Sequence, residues 1–265
     1  MRTPKLGLAL GSGAFRGLAH IGVLDVFLQE GLPVDMIAGT SFGAVVGGVY
    51  AAGMEPGEME RRACELSEIQ YYDITVPRRG FLAGNRVSAL LKELTQGRAF
   101  AQTRLPFAAV ACDFETMEKV VLQEGPIYEA VRASISIPGV FVPVTRGERV
   151  LVDGGLVDRV PADVCRRMGA DVVVGVDVGY RGQRVAAGNI LENVLHAYDI
   201  LEWQVARAHV SLSDVLIAPN VLDIDPARIA GRAVEIIERG RTAARAALAD
   251  VRAALDRWTE REDGT

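Results

Sequence analysis

The 265-residue chain is short of several things, and each shortage excludes something. It has no long run of lysine or arginine, and its net charge is −5. Nucleic acid is therefore excluded as a partner, as is strong electrostatic attachment to an anionic membrane; peripheral contact through an apolar patch stays open. Its cysteines are few, odd in number and far apart (Cys64, Cys112 and Cys165), with no Cys-x-x-Cys. That argues against a disulfide framework or a metal site and for reduced thiols in a cytoplasmic protein. Aromatic residues make up only 6%. The core must be built from Val, Leu, Ile and Ala, which suits a buried parallel sheet. No apolar run approaches the ~18 residues of a membrane-spanning helix. The first apolar stretch, Leu6–Leu10, is also too short for a signal-peptide core.

What is present suffices for one large α/β domain, or one domain with an appendage. Hydrophobic residues account for 49% and charged ones for 24%, enough for a sizeable core. No internal repeat and no low-complexity segment occurs. Strand signals at Leu6–Leu10, Met36–Ala38, Phe107–Cys112, Lys119–Gln123, Asp171–Asp177 and Val215–Ala218 alternate with helical patterns. The helices are expected at Gly17–Glu30, Phe42–Ala52, Glu58–Gln70, Arg86–Leu94, Ile127–Ala133 and Ala162–Met168. This alternation predicts a mostly parallel sheet with helices on both faces. Val76–Gly84 reads as a loop, and Phe141–Thr145 with Arg149–Val152 as a hairpin. Residues Ala227–Trp258 read as an Ala/Arg-rich amphipathic helix. The segment Tyr71–Thr103 is a candidate lid.

Gly39-Thr-Ser41-Phe-Gly43 stands where a strand hands over to a helix. Such a turn is so tight that bulky flanking side chains would clash, and it pushes the serine out above the sheet. The helix N-terminus also favours a developing alkoxide. The bland alternative is a serine cap in a glycine-rich turn.

Leu10-Gly-Ser-Gly-Ala-Phe-Arg-Gly17 joins the first strand to its helix. A loop of small residues can aim backbone N–H groups at one anion, as a phosphate site or an oxyanion hole. A dinucleotide fingerprint needs glycine where Arg16 stands, and no Gly-Lys-Ser/Thr follows for a P-loop. The oxyanion hole fits better, with the amides of Gly11, Ser12, Gly13 and Ala14 as donors. Arg16 would order that loop or add positive potential.

A serine triad needs a histidine base. The chain has only His20, His196 and His209, and none falls on a loop after an acid. The alternative base is Asp153 of Leu151-Val-Asp153-Gly-Gly155, which ends an apolar strand and is followed by two turn-forming glycines, Gly154 and Gly155. A carboxylate is a weak base for a hydroxyl, with an ordinary pKa near about 3.9. Burial raises that value.

These three pieces, in this order, resemble the patatin-like phospholipase family. Ala19-His-Ile-Gly-Val-Leu24, Ala130-Val-Arg-Ala-Ser-Ile-Ser-Ile-Pro-Gly139 and Gly155-Leu-Val-Asp-Arg-Val-Pro161 are also similar to its small bacterial members. The likeness covers about residues 5–179. It implies a three-layer α/β/α fold and a Ser41–Asp153 dyad without histidine. It implies an oxyanion hole of loop amides, and hydrolysis of fatty-acyl esters of (lyso)phospholipids or related lipids without metal or cofactor. The loop carries Ser12 and Ala14 where family loops are richer in glycine, which leaves the backbone donors in place. On this reading residues 5–180 form the patatin-like domain, and 181–265 a mainly helical extension packed on it. Two other readings are a catalytically silent scaffold with the same fold and an acyltransferase.

Overall fold

The computed structural model describes residues 2–65, 73, 80–179, 190–209, 212–225 and 231–263, without the side chains of 190–192, 207–209 and 262–263. Its centre is an eight-stranded sheet. Five strands run parallel: β1 (Leu6–Leu10), β2 (Met36–Thr40), β4 (Phe107–Asp113), β9 (Val172–Val176) and β10 (Val215–Ile217). Against β4 lie two antiparallel strands, β5 (Lys119–Leu122) and β8 (Arg149–Asp153), and β7 (Val144–Arg146) pairs with β8. The short β3 (Gly80–Leu82) and β6 (Gly139–Phe141) form a separate parallel pair.

The sequence of β1, Leu-Gly-Leu-Ala-Leu, explains the layering. Successive side chains of a strand point to opposite faces. Leu6, Leu8 and Leu10 enter the larger core, with α1 (Ala19–Gln29), α2 (Phe42–Ala51), α5 (Ile127–Ser134) and α8 (Ala233–Asp263). Gly7 and Ala9 face the other way, where α6 (Ala162–Arg167) comes so close that Cys165 and Ala170 lie against Gly7. Helices thus cover both faces, as the sequence predicts for an α/β fold. α8 lies along α1, with Gly22 and Gly240 at the crossing so that the two backbones touch. Arg241 of α8 reaches Asp25 at 2.6 Å and also binds Glu60.

Several predicted elements shift. The first helix begins as a 3-10 turn, Ala14–Leu18, before α1. The helix expected over Glu58–Gln70 is α3 (Pro56–Glu65), and residues 66–70 lie outside the description. The expected hairpin starts later, at Val144. Pro143 has no N–H to give a ladder, so Phe141 belongs instead to β6. Residues 80–82, expected as loop, form β3, while 76–79 lie outside the description. In the candidate lid, residues 71, 72 and 74–79 lie outside the description. Leu91 and Leu94 of α4 (Asn85–Leu94), with Phe100, are fastened into the main core. Among the described residues no helix is long and apolar enough to cross a membrane.

Candidate active site

Ser41 follows the last residue of β2 and precedes the first of α2. Its backbone sits at φ 53°, ψ −123°, a region that costs a non-glycine residue on the order of 1–3 kcal/mol. Gly43 makes the turn possible, because a Cβ there would overlap the Leu10 carbonyl oxygen. Gly39 likewise has no room for a side chain, with Ala44 Cα 2.6 Å from where its Cβ would be. The start of α2 is thereby pressed onto the glycine loop, and Phe15 meets Phe42 edge-on at 5.7 Å.

Asp153 ends β8, which pairs with β4 at Ala111. The Ser41 hydroxyl donates to Asp153 Oδ2 at 2.6 Å, and Oδ1 accepts from the Gly155 amide at 2.9 Å. The Asp153 side chain is fully buried and Ser41 is 5% exposed. Burial is the largest influence on Asp153 and pushes its carboxyl up to about 6 against the hydrogen bonds it accepts.

His20 is not a base for Ser41. It is fully buried, and its Nε2–H donates to the Gly11 carbonyl at 2.8 Å. Burial lowers its pKa to about 4, so it is neutral and fixes the loop. His196 lies half-buried on α7 (Ile190–His209), and the side chain of His209 is outside the description.

The glycine loop corrects two expectations. The Gly11 and Ser12 amides are already spent on the backbone, donating to Val176 O at 2.9 Å and Arg159 O at 3.0 Å. The first extends the ladder to β9 and the second ties the loop to the segment before α6, so neither is free to meet an oxyanion. The amides of Gly13 and Ala14, at the start of the 3-10 turn, have no such acceptor among the described residues. The second correction concerns Arg16, grouped by the sequence with the hole. It is buried and turned away, donating from Nε to Ile224 O at 3.0 Å and facing Asp199 of α7 at 3.8 Å. It ties the loop to residues far along the chain.

Sequence reading missed the side chains that α7 brings to the site. A Cβ on Gly155 would overlap Glu202 Oε1 and come within 2.7 Å of Tyr198 OH. Both side chains are buried, as is Ser12. Burial first, and the Asp153 charge second, push the Glu202 carboxyl up to about 8. Burial and the nearby Asp153 thus both favour the neutral form of Glu202. Tyr198 is raised well above its ordinary value, chiefly by burial. Neither residue stands in a recognisable motif; the only hint was a second glycine after Asp153. Gly154 has its own reason, since a Cβ there would overlap Val110 O. Among the described residues no cluster of His, Cys, Asp and Glu could hold a metal ion.

The sequence profile described as patatin-like phospholipase matches residues 8–166. An NTE family protein of Mycobacterium tuberculosis is 34% identical over 225 residues, covering 83% of this chain and 61% of that protein. Patatin-like phospholipase domain-containing protein 7 of Rattus norvegicus is 32% identical over 186 residues, 67% of this chain and 14% of its own length. The chain thus spans less than two thirds of these relatives. Among solved structures, VipD from Legionella pneumophila aligns with a TM-score of 0.52 at 13% identity, over 97% of this chain and 67% of that one. ExoU in its complex with SpcU, from Pseudomonas aeruginosa, aligns with a TM-score of 0.53 at 15% identity, over 97% and 53%. At those identities the structures share the fold. Taken with the profile match over more than half its length, this chain belongs to the patatin-like phospholipase family.

Proposed function

We propose that the chain is a serine hydrolase of fatty-acyl esters, acting on phospholipids, lysophospholipids or related lipids. The observation that carries this reading is the 2.6 Å hydrogen bond from the strained Ser41 hydroxyl to the buried Asp153 carboxylate. Ser41 Oγ attacks the ester carbonyl while Asp153 takes its proton. The Gly13 and Ala14 amides donate to the oxygen that becomes negative. The proton returns to the leaving alcohol, leaving an acyl-serine. Water then repeats the sequence in reverse and frees the acid. Asp153 serves as a base here because burial has brought its pKa within reach of neutral pH. The reading also expects a cytoplasmic protein that meets its lipid at the membrane surface.

The test is covalent capture. A fluorophosphonate probe should label the protein once, and peptide mapping should place the adduct on Ser41. Hydrolysis of a phospholipid and lysophospholipid panel should follow. An inert protein would favour a silent scaffold, and transfer of the acyl group to an added alcohol or thiol would make it a transferase.

The pH profile has a predicted sign. Asp153 works only when ionised, so kcat/KM should fall as pH drops through about 6. An acid limb near pH 4, with no loss between 6 and 5, would speak against Asp153 as base.

A further inference from the structure

Ser41 and Asp153 come from distant parts of the chain, yet both backbones are held by one three-residue stretch at the end of α5. The Ser41 amide donates to Ser134 Oγ at 2.8 Å. The Asp153 amide donates to the Ser136 carbonyl at 3.0 Å. Ser134 in turn donates its hydroxyl to Val110 O at 2.6 Å. Val110 precedes Ala111, the residue of β4 that pairs with Asp153.

A serine near a helix end ordinarily bonds back to its own helix. Ser136 does this, donating to Arg132 O at 2.8 Å. Ser134 does not. Its hydroxyl leaves the helix, and both its partners lie on other elements. It is completely buried, so water cannot replace it.

We infer that Ser134 is a positioning residue of the proposed reaction, holding the Ser41 backbone in its strained turn, with the Ser136 carbonyl setting Asp153 from the same stretch. This rests on the hydrolase reading above. Ser41 occupies an unfavourable φ/ψ region that persists only where the surroundings over-determine it. The Ser134 hydroxyl is the hydrogen-bond acceptor that takes the Ser41 amide. Without it, that amide and Val110 O lose a partner inside the core, and the turn can relax. Oγ then drifts from Asp153.

Ser134→Ala should lower kcat by ~10–100-fold, the scale of a misplacement of about 1 Å. KM should stay within about twofold and the acid limb of the pH profile should not move, because the base itself is untouched. Ser134→Thr, which keeps the hydroxyl, should restore most of kcat. Val131→Ala, on the same helix and fully buried but away from the dyad, should lower Tm and keep kcat. If Ser134→Ala does not fold, Ser134→Cys, with a poorer donor and acceptor, is read in its place. Parent kcat in the folded Ser134 variant, with Ser41→Ala inert, would overturn the positioning role and leave the hydrolase reading standing. Full activity in Ser41→Ala would bring down the hydrolase reading itself.

Discussion

Ser41→Ala should lose acyl-ester hydrolysis by a factor of about 10⁴ or more, and Asp153→Asn by about 10³–10⁴, the scale seen when nucleophile or partner is removed from other serine hydrolases. Among the described residues the hydroxyls beside Ser41 are otherwise engaged, that of Ser134 donating to Val110 O at 2.6 Å. Thr40 Oγ1 is committed to Asp158 O at 2.9 Å, and Ser12 is buried within the loop. Asparagine at 153 keeps the size of the side chain and an oxygen for the Gly155 amide, but its amide cannot take a proton. The two variants differ in stability as well. The Asp153 pKa is raised in the folded protein, from 3.8 to about 6. Between those values the folded state binds the proton that the unfolded state has released, so stability falls as pH rises through the window. Asp153→Asn removes that slope. It should melt higher than the parent at pH 7 and lose the advantage near pH 4. Single-turnover rates and melting curves across pH 4–8 give both readings; undiminished turnover by Asp153→Asn would move the base elsewhere.

The second large effect is on folding. Gly43→Ala should lower Tm by roughly 5–10 °C, from about 2–3 kcal/mol of overpacking. The new methyl would strike the Leu10 carbonyl oxygen, and Gly11 O lies 2.7 Å from the same point. Backbone atoms cannot swing aside as a side chain can. Strand β1 and helix α2 must separate, which carries the Gly13 and Ala14 amides away from Ser41. Activity should therefore fall further than the loss of folded protein explains. Gly57→Ala is the control: its Cβ would meet nothing within 4 Å, and in helix α3 alanine is favoured by about 1 kcal/mol. Equal Tm values for the two variants would refute the steric account.

The elements nearest the site were the most legible in the sequence. β1 lies where the apolar run Leu6–Leu10 puts it, and β9 is that of Asp171–Asp177 shortened by one residue at each end. Ser41 and Asp153 stand out because tight turns need glycine beside them, and glycine is visible in a sequence. Hydrogen-bond direction is not. Nothing in Leu10-Gly-Ser-Gly-Ala says that the first two amides are taken by the carbonyls of Val176 and Arg159. Nor does a polar residue announce which element it will face. Tyr198 and Glu202 stand on a helix of mixed pattern, and Ser134 sits among ordinary α5 residues. Their roles depend on long-range packing, which leaves no short-range spacing to read. Arg16 reads as a loop cation and is a buried tether because Ile224, 208 residues on, supplies its acceptor.

The pairing of α1 with α8 has a consequence for biosynthesis. Asp25 and Arg241 are 216 residues apart. At about 5–20 residues per second, the ribosome takes roughly 10–40 s to travel between them. Throughout that interval the face of α1 that α8 will cover, at Ala19 and Gly22, has no partner of its own. The nascent sheet can assemble from its early strands, but this flank closes only once α8 has been made.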